Sequence, residues 1–240
     1  NEALAMIPGF VARMARGRPR VRAKLAMSMD GRTAMASGES QWITGSAARQ
    51  DVQRLRAMSC AIVTGVGTVL SDDCSLTVRA EQLGLDEPEA ILATRVAPLR
   101  AVLDSQLQTP ANAKVLSGSA DTILFHNPDC DIPGGLSGLG DKLQSLPRGA
   151  RGLNLPAMVN ALCERQCNEI LVESGPRLAG AMLDAGLLDE LIIYMAPLLM
   201  GDRARPLLAL PLDSMSQKVP LDIRDVRKVG QDWRFTVVPI

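Results

Sequence analysis

The chain has 240 residues with a formal net charge of zero at pH 7, which is enough for one large domain or two small ones. Its balanced charge excludes a global field that would recruit nucleic acid or an anionic membrane, so local arginines must hold any anionic ligand. Five scattered cysteines, one histidine and 2% aromatic residues argue against a disulfide framework and a zinc site, and favour a cytoplasmic protein packed from aliphatic residues and methionine.

The first segment, residues 1–19, lacks an initiator methionine, and we expect it to be the remnant of a segment that joins two domains. Ile7, Phe10 and Met14 suggest a short amphipathic helix that ends near Gly17. From residue 21 onward the chain alternates strictly between apolar and other residues, which predicts a strand with Lys24 and Ala26 on one face.

A polar loop at residues 37–44 carries Trp42, one of only two tryptophans. Trp42 either anchors this loop in the core, which is the commoner role, or serves a ligand. A helix should follow, capped by Thr44 or Ser46. At helical spacing this helix carries an apolar stripe of Ala48, Val52 and Leu55. Beside it lies a polar stripe of Arg49, Gln53 and Arg56, which is typical of a solvated face unless a phosphate lies nearby.

The middle of the chain alternates short apolar runs with polar loops. The Gly-x-Gly at residues 65–67 follows a strand but lacks the rest of a Rossmann fingerprint, so it is weak evidence for a nucleotide. We predict strands at 60–64, 101–103 and 122–125, loops at 80–97 and 127–153, and a helix at 155–166.

Residues 170–183 predict a strand, a glycine turn and a helix N-terminus in direct succession. Gly175 or Ser174 can cap the helix, and Pro176 suits its first turn. Free backbone N–H groups and the helix dipole make such a turn an anion site, and Gly175 and Gly180 would let a phosphate approach the backbone. An ordinary strand-to-helix connection is the alternative.

Strands at 191–196, 222–229 and 233–238 complete the pattern, the last two as a hairpin. The apolar stretch around residues 191–200 is about half a membrane span, so we expect no membrane segment. Strands alternating with helices predict a mainly parallel α/β sheet with an antiparallel hairpin at one edge. Because several strands end in polar residues, their side chains should converge on one rim and bind a phosphate-bearing ligand.

Several long motifs, in the same order, closely resemble the reductase domain of the riboflavin-biosynthesis deaminase/reductase. They are KLAMSMDGRTA (24–34), SGESQWIT (37–44), LRA (55–57), TVLSDD (68–73), LTVR (76–79) and VESGP (172–176). The resemblance covers residues 20–240 as one domain. It implies a dihydrofolate-reductase-like fold and the NADPH-dependent reduction of 5-amino-6-(5-phosphoribosylamino)uracil, whose ribosyl group becomes ribityl. One departure is Cys74, where the family has proline, which would make the loop less rigid.

Carried over residue by residue, the resemblance implies two sets of contacts. The substrate would meet Lys24 and Glu173, which we expect near the reacting ribose, and Ser40, Arg56, Leu76 and Arg79. NADPH would meet Ala26, Trp42, Thr68, Asp72, Ser105, Gly175, Pro176, Arg177, Leu178, Ala179, Gly180 and Ala181. Arg56 and Arg79 suit the substrate phosphate, and Ser105 the 2′-phosphate of the cofactor.

The resemblance also implies partners for the chain, and it leaves alternative functions open. The zinc-deaminase signature is absent from this sequence, so we expect a reductase domain cut from a longer protein with an N-terminal zinc deaminase, or a stand-alone reductase. An exposed edge strand would make a homodimer natural. Reduction of the non-deaminated diaminopyrimidine or of a folate-like pterin, and a nucleotide-binding regulatory module without turnover, are the alternatives.

Overall fold

The computed structural model of the chain describes residues 4, 6–150 and 152–240. Residues 1–3 and 5 of the predicted joining segment, and residue 151 of the predicted loop at 127–153, lie outside the described residues. The helices are α1 (Pro8–Arg16), α2 (Ser46–Ala57), α3 (Val66–Asp72), α4 (Glu87–Thr94), α5 (Leu155–Glu164) and α6 (Pro176–Asp184). Short 3₁₀ turns lie at Ala80–Gln82, Lys114–Leu116, Gly134–Lys142 and Met215–Gln217.

A sheet of nine strands forms the centre of the fold. In chain order the strands of the protein are β1 (Arg20–Ser28), β2 (Arg32–Ala34), β3 (Ala61–Gly65), β4 (Leu99–Leu103), β5 (Thr122–His126), β6 (Leu143–Ser145), β7 (Arg148–Gly149), β8 (Gly152–Leu153), β9 (Glu169–Glu173), β10 (Glu190–Ala196), β11 (Arg205–Pro206), β12 (Leu221–Val229) and β13 (Asp232–Pro239). The central sheet has the order β12-β13-β10-β1-β9-β3-β4-β5-β6.

All neighbours from β10 to β6 pair in parallel, whereas β13 pairs antiparallel with β10 and β12 antiparallel with β13. The predicted fold class, a mainly parallel sheet flanked by helices with an antiparallel C-terminal hairpin, is therefore confirmed. Apolar runs such as 61–63 and 170–172 are buried on both faces, because helices cover both sides of the sheet.

The two faces of the sheet bury different sets of side chains. On one face, Val63 and Val172 pack with residues of α5 and α6 in a single large cluster. On the other face, α2 packs over β9 and β10, and α3 packs over β3 to β5. Both layers cover the middle of the strands, so the carboxyl ends of β1, β3, β4 and β9 are available to bind a ligand.

Two of the predicted loops contain regular structure. Residues 80–97 include α4, whose N-cap Asp86 accepts a hydrogen bond from the backbone N–H of Glu89. The predicted loop at 127–153 includes the edge strand β6 and the small hairpin of β7 and β8, and it buries Leu136 and Leu146. These predictions were wrong because Ile91 and Leu92 of α4 are exposed and show no one-sided apolar pattern, and because β6, β7 and β8 have only two or three residues each.

Helix α1 forms as predicted but buries a different face. Ile7, Phe10 and Met14 are exposed, while Gly9 and Ala12 are buried. A Cβ at Gly9 would lie 2.5 Å from the carbonyl oxygen of Asn168, so the small residues bring α1 against the ends of the sheet strands. Methionine likewise contributes less to the core than expected: Met6, Met14, Met29, Met35, Met58 and Met215 are exposed.

The described residues contain no helix long and apolar enough to cross a membrane. They also contain no group of three or more His, Cys, Asp or Glu side chains that could hold a metal ion. All five cysteines are free thiols.

Candidate active site

A cleft of about 1830 Å³ opens at the carboxyl ends of the parallel strands. Its floor includes Lys24 of β1, Gly65 of β3, Leu103 of β4 and Glu173 of β9. Pockets for one small ligand usually hold about 300–1,000 Å³, so this cleft has room for two ligands side by side. It lies where open parallel sheets bind their ligands.

Most of the predicted site residues meet in this cleft. The cleft is lined by Lys24, Ala26, Ser40, Trp42, Arg56, Thr68, Asp72, Leu76, Arg79, Ser105, Glu173, Gly175, Pro176, Arg177, Leu178 and Ala181. Positions as far apart in sequence as Lys24 and Ala181 therefore share one space, which is the spatial arrangement that the motifs predict.

Two predicted residues do not line the cleft. Ala179 is fully buried in the core cluster beneath α6. Gly180 packs on the backbone of Ala209, so closely that a Cβ there would collide with the Ala209 carbonyl oxygen. The expectation that Gly180 admits a phosphate is therefore wrong: the glycine admits a neighbouring chain segment. Gly175 differs, because apart from its own chain neighbours no described heavy atom lies within 4 Å of the place its Cβ would take.

Arg56 and Glu173 form an ion pair at the floor of the cleft. Arg56 Nε and Nη2 donate to the two carboxylate oxygens of Glu173 at 2.6 and 2.9 Å. The Nη1 group of Arg56 also donates to the carbonyl oxygen of Thr77 at 3.0 Å. Three of the five guanidinium N–H groups are thus committed to protein oxygens, which leaves Arg56 less capacity for a ligand phosphate than the sequence suggested.

Lys24 lies beside this pair without joining it. Its Cα is the register partner of Glu173 in the parallel pairing of β1 and β9, yet its ammonium group makes no hydrogen bond or ion pair with the described residues. Burial, and then the nearby positive charge of Arg56, lower the pKa of Lys24, while Glu173 opposes the shift. A lysine in this environment gives up its proton more readily than one in water.

At Glu173 the neighbouring charges outweigh burial in setting the pKa, whereas at Lys24 burial prevails. Burial alone would raise the pKa of its carboxyl group, but Arg56 and, to a smaller extent, Lys24 outweigh burial, so the pKa lies below the usual value. The carboxylate is therefore charged at neutral pH and oriented by two hydrogen bonds. A fixed negative charge and an adjacent, easily deprotonated lysine are groups that can orient and protonate a polar substrate.

The loop at residues 73–84 holds Arg79 over the same floor. The Arg79 side chain is exposed and forms no hydrogen bond with other described residues, so it remains available to an anion. Leu76, buried beside it, adopts a positive φ of 50°. Arg100, a fully buried arginine, donates to the carbonyl oxygen of Ser75 at 3.3 Å. Leu76 and Arg100 thus anchor the loop that contains Cys74.

Trp42 projects into the cleft rather than into the core. It is 69% exposed, so the interpretation as a core anchor is wrong. The guanidinium of Arg49 lies 4.6 Å from the centre of the Trp42 ring and donates to the carbonyl oxygen of Thr44 at 2.7 Å.

The predicted caps of α2 are also wrong: its N-cap is Gly45, whose N–H donates to Asp232 of the C-terminal hairpin at 2.8 Å.

The start of α6 suits an anionic group. Gly175 is its N-cap as predicted, and no side chain of the described residues caps the first turn. The lining of the cleft as a whole includes seven cationic and four acidic side chains, an excess of positive charge that the neutral chain lacks. Uncapped N–H groups, open space at Gly175 and this charge together fit a pyrophosphate-bearing cofactor.

Sequence reasoning missed several residues of the cleft. Lys114 and Arg205 line it, although each stands in a stretch without a recognisable motif. Lys114 reaches it from a 3₁₀ turn and pairs with Asp73 at 3.1 Å. Gln53 was read as part of a solvated stripe, yet it is buried. These positions follow from long-range packing and give no local signal.

An open, mainly parallel sheet whose strand ends meet in one cleft with an excess of cationic side chains defines an α/β protein with a candidate site for anionic small molecules. The model of the protein family described as "RibD C-terminal domain" matches residues 19–235 of the chain. The chain therefore belongs to this family. The predicted family is thereby confirmed.

Related proteins support the same assignment. The chain is 40% identical over 237 residues to riboflavin biosynthesis protein RibD of Escherichia coli K12. The aligned region covers 97% of this chain and 63% of that protein. RibD of Haemophilus influenzae is 41% identical over 239 residues, covering 96% of this chain and 61% of the relative. The chain thus spans less than two thirds of the curated relatives that it matches.

Solved structures show the same fold. RibD of Acinetobacter baumannii superposes with a TM-score of 0.85 at 37% identity, covering 99% of this chain and 62% of the other. The Saccharomyces riboflavin biosynthesis reductase Rib7 superposes with a TM-score of 0.68 at 15% identity over the full length of both chains. The dihydrofolate-reductase-like fold class is confirmed by these neighbours.

Proposed function

We propose that this chain reduces the ribosyl group of 5-amino-6-(5-phosphoribosylamino)uracil to the ribityl form with NADPH, in riboflavin biosynthesis. The observation that supports this most strongly is the shared cleft. The pair of Lys24 and Glu173, the exposed Arg79 and the uncapped turn at Gly175 all line it. A sugar phosphate and a dinucleotide both need such contacts, and the cleft volume accommodates both.

In this proposal each ligand has its own part of the cleft. Arg79 binds the substrate phosphate, with roughly 1.5–3 kcal/mol for each charge-assisted hydrogen bond, and Ser40, Leu76 and the remaining N–H groups of Arg56 complete the substrate site. The cofactor lies along the turn from Gly175 to Leu178 and Ala181, where the helix dipole adds roughly 0.3–1 kcal/mol. Its remaining contacts are Ala26, Trp42, Thr68, Asp72 and, for the 2′-phosphate, Ser105.

The protein supplies orientation and a proton. NADPH, when bound, supplies the hydride for the sugar C1′. Before reduction the ribose ring must open at C1′, and its ring oxygen must gain a proton. Lys24 donates this proton in our proposal, since its lowered pKa favours proton release, while Glu173 holds the substrate and keeps the positive charges of Lys24 and Arg56 apart.

The test is turnover by the purified chain. With authentic substrate, absorbance at the nicotinamide band should fall in proportion to ribityl product, and Lys24→Met should lower kcat strongly while leaving NADPH binding unchanged. A competition assay with the non-deaminated diaminopyrimidine measures the preference between the two pyrimidines. NADPH binding without turnover of either pyrimidine would instead identify a regulatory nucleotide-binding module.

The assembly and location of the protein are part of the same proposal. Strand β12 is an edge strand with exposed Leu221, Ile223 and Val226, and we expect a homodimer through this hairpin. Ile223→Lys should then shift the sedimentation coefficient from dimer to monomer. We further propose a cytoplasmic parent protein with an N-terminal zinc deaminase domain, and the sequence of the source gene tests this.

A further inference from the structure

Gln53, on helix α2, contacts the loop that carries Arg79. Its Oε1 accepts a hydrogen bond from the backbone N–H of Arg79 at 3.1 Å, and its Nε2 donates to Gln82 Oε1 at 3.2 Å. A backbone N–H can only donate, so the orientation of the Gln53 amide is determined by its partner. Gln53 is only 5% exposed although it lines the cleft, so water competes poorly for these hydrogen bonds.

The position of Arg79 depends on its backbone. Its N–H is bound by Gln53, and its carbonyl oxygen accepts from the backbone N–H of Gln82 at 3.0 Å. The guanidinium makes no hydrogen bond or ion pair with the described residues, so no polar side-chain contact among them fixes it. The two backbone contacts therefore determine where the side chain begins and which part of the cleft it can reach.

We infer that Gln53 is a positioning residue that holds Arg79 in place for the phosphate of a sugar-phosphate substrate. The inference rests on the proposed function, because it takes Arg79 as the phosphate ligand. In this inference Gln53 acts through Arg79, since both hydrogen bonds that its amide forms with the described residues go to the loop.

The same loop offers a matched control. Arg54, the next residue of α2, donates to the carbonyl oxygens of Leu83 and Gly84 at 2.7 and 3.2 Å. Arg54→Met therefore removes two bonds between helix and loop without touching the Arg79 backbone. If general attachment of the loop were all that mattered, this variant would have at least as large an effect as Gln53→Met.

The experiment compares Gln53→Met, Arg79→Met, the double variant and Arg54→Met. Each is assayed with the phosphorylated substrate and with its dephosphorylated form. Losing the hydrogen bond between Gln53 and the Arg79 backbone corresponds to about a three- to tenfold change in KM. We expect Gln53→Met to raise KM by this factor for the phosphorylated substrate only, with kcat within about twofold of the wild type. Arg54→Met should leave KM within about twofold.

The double variant separates positioning from direct contact. With Arg79→Met already present, Gln53→Met should change KM no further, because the group that it positions is gone. An undiminished effect in that background, or equal effects on both substrate forms, would overturn the inference. Should Gln53→Met fail to fold in thermal unfolding, Gln53→Asn, which is too short to reach Arg79, takes its place with the same expectations.

Binding of ribose 5-phosphate distinguishes this inference from the proposed function. Calorimetry should show a Kd for ribose 5-phosphate that Gln53→Met raises by the same factor as KM, with ribose itself as the control. If the wild type binds ribose 5-phosphate in this Gln53-dependent way but reduces no pyrimidine, the proposed function fails and the positioning role stands. If turnover occurs and neither KM nor Kd responds to Gln53→Met, the positioning role fails alone. Absence of both binding and turnover refutes both.

Discussion

The ion pair of Arg56 and Glu173 allows the sharpest prediction about stability. Both side chains are largely buried, with 16% and 10% of their surface exposed, and the contact is bidentate. Removing one partner of such a pair usually costs about 3–5 kcal/mol, because a buried charge loses its counterion. The two single variants should nevertheless differ, since Lys24, whose Cα is the register partner of Glu173, is a second positive charge near that carboxylate.

Arg56→Met leaves the Glu173 carboxylate with Lys24 as a remaining positive neighbour, so its cost should lie near the lower end, about 3 kcal/mol. Glu173→Met leaves Arg56 and Lys24 facing each other without an anion, so its cost should approach about 5 kcal/mol. The double variant should cost less than the sum, with a coupling of at least about 1.5 kcal/mol.

Urea denaturation followed by circular dichroism measures these free energies of unfolding, provided that the slope m stays constant across the variants. The pH dependence gives an independent check. The pKa of Glu173 is lowered in the folded state from its usual 4.5, so the folded protein binds fewer protons than the unfolded chain. Its contribution is fully present above pH 4.5 and is lost as the pH falls through the folded-state pKa. The stability difference between wild type and Glu173→Met should shrink over that range.

Single variants that cost less than about 1 kcal/mol, as exposed pairs do, would refute this reasoning. Additive effects in the double variant would refute it as well, because they would show that the two charges do not interact.

Two further predictions concern packing and thiol reactivity. Gly180→Ala should destabilise the protein by about 1–3 kcal/mol in urea denaturation, since the added Cβ meets the Ala209 backbone. Gly67→Ala is the control: Gly67 has open space around it, so this variant should be neutral or slightly stabilising. Equal effects of the two substitutions would contradict the packing role of Gly180. Burial raises the pKa of the Cys74 and Cys167 thiols to about 11, so roughly a thousandth of each is thiolate at pH 8, and mass spectrometry after iodoacetamide treatment should find the exposed Cys60 alkylated first. Faster labelling of Cys167 than of Cys60 would contradict the burial of Cys167.

Much of the fold follows from local patterns in the sequence. The strands of the parallel sheet are short apolar runs, and α5 and α6 begin with an N-cap residue followed within two positions by proline, Asn154 and Gly175 being those caps. Such signals depend on neighbours within one or two turns. Helix α4 was missed because its apolar Ile91 and Leu92 are exposed, so they show no one-sided pattern that periodicity could detect.

The site was predictable only where residue type and motif coincide. Gly175 and Gly180 give the same signal in the sequence, yet one borders open space and the other a packed backbone. Gln53 gives no signal, because its partner is a backbone N–H 26 residues away. Distinctions of this kind depend on tertiary contacts, which local patterns do not encode.

The central claim is that one cleft brings the cofactor and the sugar together. Transfer of deuterium from NADPH labelled at the nicotinamide C4 tests this most directly. The account predicts one deuterium at C1′ of the ribityl product, detected by mass spectrometry and located by NMR, and almost no ribityl product with Lys24→Met. Ribityl product that carries no deuterium from either face of the labelled nicotinamide would contradict it, because the hydride would then come from a different site or donor.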